Sequence, residues 1–415
     1  MKVLILSSSF PYPVDAGRKM VMAGFLDFFV EEHGGANVVY ATSDTEGDYS
    51  NVPFRVERLP LASMVRRCVS VAHNSVLLRR RPIQEAILYS QTAMRSVLKL
   101  VDTLRPDLIF VDTVRMARYA EPYPERAIIY LDDLYSVRYE RMLRLQKEHP
   151  ELKLNALGNF VRFLPQAVLP VASAMQKQLL RAEVGLLRRR EVEVTRRFQK
   201  ALLLNPGEAR LLSEWAHADN VFVVKPLVLA KHARTSRRFS GEPTFLFLGN
   251  LAYGPNRHSF DVFLDSMPSI AQRISNVKIL VAGRGADEKL RAKARRLEAH
   301  VELLDFVENI EPLMRTCAAL VAPIPYGTGV KTKILDALYY GIPILATQNG
   351  VDGTLVQNGR EALIEDDLSR YADLMERLLD VSFNERMSNA GRALYDSQYA
   401  APQVLEEYRQ ILRAG

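Results

Sequence analysis

The chain is poor in the residues that build cross-linked or metal-held scaffolds. It has two cysteines, Cys68 and Cys317, in 415 residues. A pair so widely spaced supports neither a disulfide framework nor a cysteine-ligated zinc site, and it suits a reducing compartment. The seven histidines include no pair at metal-ligand spacing. The acids of "DTEGD" (44–48) lack the rest of a calcium loop and read as a surface turn. Long apolar runs are absent too. No segment approaches the ~20 residues of a membrane-spanning helix. The opening "MKVLILSSSFPYP" carries an apolar run too short for a secretory signal. Short repeats and low-complexity tracts are also missing.

What the chain does have is length, an ordinary apolar content of 48% and a positive charge of +7. A chain of this size outgrows one core and suits two domains of about 200 residues each. The charge is uneven: residues 1–230 hold 32 Lys and Arg against 25 Asp and Glu, whereas the remaining 185 hold 23 of each. Within 55–200 the count is 27 basic against 15 acidic. Such an excess points to phosphate-rich partners: anionic lipid, a phosphorylated substrate or nucleic acid.

Short apolar runs bounded by turn residues recur along the chain. "KVLILSS" (2–8), "NVVYATS" (37–43), "DLIFVDT" (107–113), "AIIYLDD" (127–133), "ALLLNP" (201–206) and "VFVVKP" (221–226) read as buried strands. Helical patterns lie between several of them, and residues 134–200 read as mostly helical. The polar break "ARTSRRFSGEP" (233–243) marks a boundary. Beyond it the strand pattern resumes with "TFLFLGN" (244–250), "VKILVAG" (277–283), "VELLDFV" (301–307), "ALVAPIP" (319–325) and "IPILAT" (342–347). Strand–helix alternation predicts parallel sheets covered on both faces, hence two doubly wound domains with ligands beyond the carboxyl ends of the strands. The predicted domains are 1–232 and 233–396, with 397–415 a helix that packs back on the first.

One stretch combines these features with charge. In "GTGVKTKILDALYYGIPILAT" (327–347), Gly327 and Gly329 let the backbone turn close to a ligand. Val330, Ile334, Leu335 and Leu338 then follow helical spacing. The free N–H groups near Val330, Lys331 and Thr332 open a helix, a favourable place for phosphate, and Lys331 or Lys333 adds charge. Asp336 is placed to accept ribose hydroxyls. Without its surroundings, the same stretch is equally an ordinary strand–loop–helix joint with solvated lysines. It lacks the spacing of a P-loop.

The order of motifs around this stretch supplies the context. "FLFLGNLAYGPN", "VKILVAGRGADEKL", "VELLDFVENIEPLMRTCAALVAP", "PIPYGTGVKTKILDALYYGIPILAT" and "NGVDGTLVQNG" resemble, in that order, the donor domain of retaining glycosyltransferases of the family 4 type. The likeness is strong over about 240–395 and weak over the first domain. It implies the GT-B fold: two Rossmann-like doubly wound α/β domains facing a cleft. It also implies a nucleotide-diphospho-sugar as co-substrate, with no cofactor and no metal. By the resemblance, Gly329, Val330, Lys331 and Thr332 meet the phosphates and Asp336 holds the ribose, with Gly327 and Lys333 as further candidate donor-binding residues beside them. Gly283, Arg284 and Val307 lie near the base. Asn250 and Asn256 stand where the family has Arg and Lys, and Thr328 and Asp336 where it has two glutamates. In "SSFPYPVDAGRKMVMAGFLDFF", Gly17 and Arg18 match the family's glycine-rich loop over the donor. Arg18 and Lys19 oppose the helix dipole there, which makes sense if an anion binds; two exposed surface cations are the alternative.

Asp112, Asp132 and Asp133, at strand ends, are placed to orient sugar hydroxyls or take a proton, or else to cap the helices that follow. Asp112, Asp133 and Lys331 are the candidate catalytic residues. In the family's front-face chemistry the leaving phosphate accepts the acceptor's proton, so catalysis rests on stabilising the departing diphosphate. The basic runs "LLRRRP" (77–82) and "LLRRRE" (186–191) read either as solvated helix faces or as contacts with an anionic membrane. The resemblance implies a cytoplasmic enzyme, peripheral on the inner membrane face, that uses a glycan or lipid-linked acceptor and no nucleic acid. The rival readings are a nucleotide-sugar epimerase of the same fold, a basic adaptor that has kept the fold without activity, and a nucleic-acid binder.

Overall fold

The computed structural model describes residues 1–14, 17–45, 47, 49–148, 176–228 and 234–413. The expected boundary at 232/233 and the middle of the helical stretch 134–200 lie outside the described residues. The chain divides into two compact units, Met1–Leu227 with Val404–Gly415, and Val228–Gln403.

The first unit is built on a seven-stranded sheet. Its strands are β1 (Val3–Ser7), β2 (Val38–Thr42), β3 (Arg55–Arg58), β4 (Leu108–Asp112), β5 (Ala127–Asp132), β6 (Lys200–Leu203) and β7 (Val221–Val223). They lie in the order β3-β2-β1-β4-β5-β6-β7, and every pair is parallel. β1, β2, β4 and β5 are buried along their whole length, because helices cover both faces of a parallel sheet. Its helices include α1 (Gly17–His33), α2 (Met64–Ser70), α3 (Ile83–Leu88), α4 (Tyr135–Glu148) and α5 (Gln176–Arg197).

The second unit has six strands: β8 (Thr244–Leu248), β9 (Lys278–Ala282), β10 (Val301–Asp305), β11 (Leu320–Ala322), β12 (Ile344–Ala346) and β13 (Ala362–Ile364). Their order is β10-β9-β8-β11-β12-β13, again all parallel. The helices that matter here are α6 (Gly254–Arg273) and α7 (Thr332–Tyr340). α7 buries Ile334, Leu335, Ala337 and Leu338 and stops at Gly341, whose φ of +75° suits glycine. The Gly341 N–H donates to the Ala337 and Leu338 carbonyls, and Pro343 then leads the chain into β12.

The last helix, α8 (Ala401–Leu412), returns to the first unit from Val404 onward. Tyr408 stacks on Phe25 of α1 with ring centroids 4.7 Å apart, and its hydroxyl donates to the Lys225 carbonyl. Both sheets reverse strand order once, between β1 and β4 and between β8 and β11. In open α/β sheets, ligands bind beyond the carboxyl ends of the strands at such reversals.

Candidate functional site

The carboxyl ends of the second sheet converge on one lysine. β8 is followed by Gly249, whose N–H donates to the Ala282 carbonyl at the end of β9. Gly283, with φ +155°, passes so close that a Cβ there would stand 1.9 Å from the Gly249 carbonyl oxygen. Only glycine permits this crossing. The reason Gly249 is itself bare is different. A Cβ on it would lie 2.9 Å from both the Asn256 side chain and the Lys333 Nζ. Lys333, on the first turn of α7, reaches back over β8 and donates to the Asn256 Oδ1 at 3.0 Å. Asn256 in turn donates to the Asn250 carbonyl at 3.1 Å. Among the described residues Lys333 has no carboxylate partner. Burial, then the charge of nearby Lys331, lowers its pKa to about 7. An ammonium held against burial and a like charge favours an anion.

The loop before α7 frames the same place. Gly327 and Gly329 have φ of +136° and +71°, the conformations expected of glycine there. Lys331 is the residue before the helix, and no side chain caps its first turn. Lys333 and Thr332 follow on that turn, and Asp336 lies one turn further, half-buried. Asn349 presents a buried Nδ2 with no hydrogen-bond partner among the described residues, 3.9 Å from where a Cβ on Gly327 would stand. An unmet buried amide nitrogen costs about 1–3 kcal/mol unless a ligand completes it. At the ends of β9 and β10, the exposed Arg284 lies over the Phe306 ring, 4.8 Å from its centroid, and Val307 follows half-buried. Asn250 is exposed, and its side chain accepts from the Ala252 N–H.

The other candidates belong to the first unit. Gly17 opens α1 and Arg18 follows it. Arg18 binds both oxygens of Asp112 at 2.7 and 2.8 Å. Asp112 is fully buried and also accepts from the Ser7 Oγ across the β1–β4 reversal. Burial opposes the Arg18 charge, but Asp112, Tyr135 and Asp132 together outweigh it, so its pKa is well above the usual value. Asp132, 3.8 Å from the Arg18 Nε, accepts from the Tyr130 hydroxyl. Its pKa is raised by burial and by neighbouring Asp133. Asp133 accepts two hydrogen bonds from Arg138 at 2.6 and 2.7 Å. Asp112 and Asp133 are thus each paired with an arginine.

The structure therefore brings Gly283, Asn250, Asn256 and Lys333 together in one unit, and Arg18 with Asp112 in the other. Two polar residues of this region were not among the sequence candidates. Asn256 was noted only as standing where a lysine was expected, and its spacing of six from Asn250 was the available signal. Asn349 gave none beyond its place after a buried strand.

Comparison with known proteins agrees with this architecture. The sequence model of the family described as "Glycosyl transferases group 1" matches residues 242–381. The phosphatidyl-myo-inositol mannosyltransferase of Mycobacterium tuberculosis (strain ATCC 25618 / H37Rv) is 28% identical over 198 residues, 44% of this chain and 52% of that protein. The chain thus spans about half the length of that relative. Among solved structures, Anabaena Alr3699/HepE in complex with UDP and glucose superposes with a TM-score of 0.62 at 14% identity, covering 100% of both chains. Sucrose-phosphate synthase from Thermosynechococcus elongatus gives 0.67 at 13%, also covering 100% of both. These likenesses show the fold, which is GT-B, and the match to the glycosyl transferases group 1 model is confined to residues 242–381.

Proposed function

We propose that this chain is a glycosyltransferase that moves a sugar from a nucleotide-diphospho-sugar to a glycan or lipid-linked acceptor, with retention and without a metal. The observation that carries the reading is Lys333: a half-buried ammonium, held by an amide and facing a second lysine, beside two glycines and a helix N-terminus. A diphosphate supplies the negative charge this arrangement lacks. The N–H groups of Thr332 and Lys333 and the Lys331 ammonium add donors. Arg284 on Phe306 offers a flat surface for a base, and Asp336 a carboxylate for ribose.

In the proposed reaction the sugar's C1–O bond to the diphosphate breaks and a bond from C1 to the acceptor oxygen forms on the same face. The acceptor's proton passes to the departing phosphate. Lys331 and Lys333 stabilise the charge that develops there, a contribution that grows in a water-poor site. With two lysines and a helix terminus to meet that charge, the reading assigns no role to a metal. The name of the relative, phosphatidyl-myo-inositol mannosyltransferase, supports a lipid-linked acceptor, and the reading includes a peripheral position at the inner membrane face.

The test is transfer from a panel of UDP-, GDP-, ADP- and TDP-sugars, with chelator present, into a membrane lipid extract. The anomeric configuration of the product is then read by NMR. Expected is one preferred donor, a product of unchanged configuration and full activity in chelator. Absence of turnover with every donor, despite nucleotide binding, would favour the inactive adaptor instead.

A further inference from the structure

A lysine on a flexible stem needs an anchor before its charge can serve a phosphate. The anchor of Lys333 is made of groups that carry no negative charge. Its ammonium lies 5.6 Å from the centroid of the buried Phe247 ring in β8, whose face attracts a cation. Among the described residues its hydrogen-bond acceptor is the Asn256 Oδ1, at 3.0 Å. Asn256 sits on the first turn of α6, and its amide can face only one way. The Nδ2 donates to the Asn250 carbonyl at 3.1 Å, a carbonyl that also accepts from the Tyr253 N–H. Turned over, the amide would set an N–H against the ammonium and an oxygen against that carbonyl, two repulsive contacts. The Oδ1 is therefore held toward Lys333, and the bare Gly249 beside them leaves room for both side chains.

Neither a carboxylate nor an apolar side chain could replace this amide. Aspartate has the same shape, but its charge would neutralise Lys333 from within, as Asp112 does Arg18. No deficit would then remain for a ligand to fill. Alanine would leave the lysine stem loose, and its rotamer freedom would have to be lost each time an anion bound. The amide orients the ammonium and leaves its charge uncompensated.

We infer that Asn256 is a positioning residue whose amide oxygen fixes the Lys333 ammonium for a diphosphate without neutralising it. The inference rests on the diphosphate reading above and gives Asn256 a task performed through Lys333. Asn256→Asp and Asn256→Ala test it with two readouts. The first needs no nucleotide: carbon-13 NMR of labelled lysine side chains follows the ionisation of Lys333, assigned from the signal missing in Lys333→Met. Expected is a midpoint near pH 7 in the native protein, moved to ~10 or above in Asn256→Asp by the new carboxylate and left low in Asn256→Ala. The second is calorimetric titration of UDP, GDP, ADP and TDP at pH 7. For the nucleotide that the native protein binds, Asn256→Asp should weaken affinity on the order of tenfold or more and Asn256→Ala about fivefold. A residue that merely packed would tolerate the isosteric aspartate, leaving both midpoint and affinity native. An unmoved midpoint in Asn256→Asp, or native affinity in either variant, overturns the inference while the diphosphate reading stands. A native protein that binds none of the four nucleotides overturns that reading, and the inference falls with it even where the midpoint moves.

Discussion

The two units share a topology and treat charge in opposite ways. At the carboxyl ends of the first sheet two arginines meet carboxylates, Arg18 clamped by Asp112 and Arg138 by Asp133, while Arg115 donates to the Gln84 amide oxygen. At the equivalent reversal of the second sheet, Lys333 meets an amide instead, with Lys331 close by. One end is neutralised from within. The other is left short of negative charge, and a folded protein tolerates that deficit where a ligand removes it. The same reversal that is a structural joint in one unit is thus the proposed diphosphate site in the other.

The comparison can be broken most sharply in the first unit. Asp112→Asn leaves Arg18 half-buried and without its bidentate partner. Loss of about 3–5 kcal/mol of stability is expected, read by denaturant unfolding, with nucleotide affinity in the surviving folded fraction unaltered. A variant of native stability would mean that Asp112 is not a clamp.

In the second unit the balance reverses. Lys333→Met should cut kcat/KM on the order of a hundredfold or more, while the unliganded protein becomes more stable. The sign follows from the folded-state pKa of about 7, which lies below the ordinary 10.5. The burden on folding is fullest below pH 7 and fades as pH rises toward 10.5. The gain in Tm should therefore be clear at pH 7 and shrink in alkaline buffer. A fall in Tm at neutral pH would show that Lys333 supports the fold.

Proton linkage sharpens the same point. A bound diphosphate raises the Lys333 pKa, so binding takes up a proton above pH 7. Affinity should be flat below pH 7 and fall above it, by at most about tenfold per pH unit. Calorimetry in buffers of different ionisation enthalpy measures the uptake, and Lys333→Arg, which stays charged, should abolish it. Smallest is Asn349→Ala, which removes a single amide donor and should weaken nucleotide binding about tenfold without lowering Tm, since the amide is unmet in the unliganded protein.

Much of the fold was legible because the central strands are continuous apolar runs, such as Val3–Ser7 and Lys278–Ala282. β3, with the sequence RVER, and the three-residue β13 were not. Both lie at sheet edges, where one side of the ladder is open and no long apolar run is required. The candidate site was legible as a motif around Gly327–Asp336 but not as a contact. The Lys333–Asn256 pair spans 77 positions and the Arg18–Asp112 pair spans 94, separations that local periodicity does not encode.

The most direct measurement is calorimetric titration of UDP and GDP into the native protein and into Lys333→Ala at pH 7. The account predicts that at least one nucleotide binds the native protein and that the substitution weakens it on the order of tenfold or more. Equal binding by both proteins, or no binding of either nucleotide to the native one, would contradict a diphosphate site at Lys333.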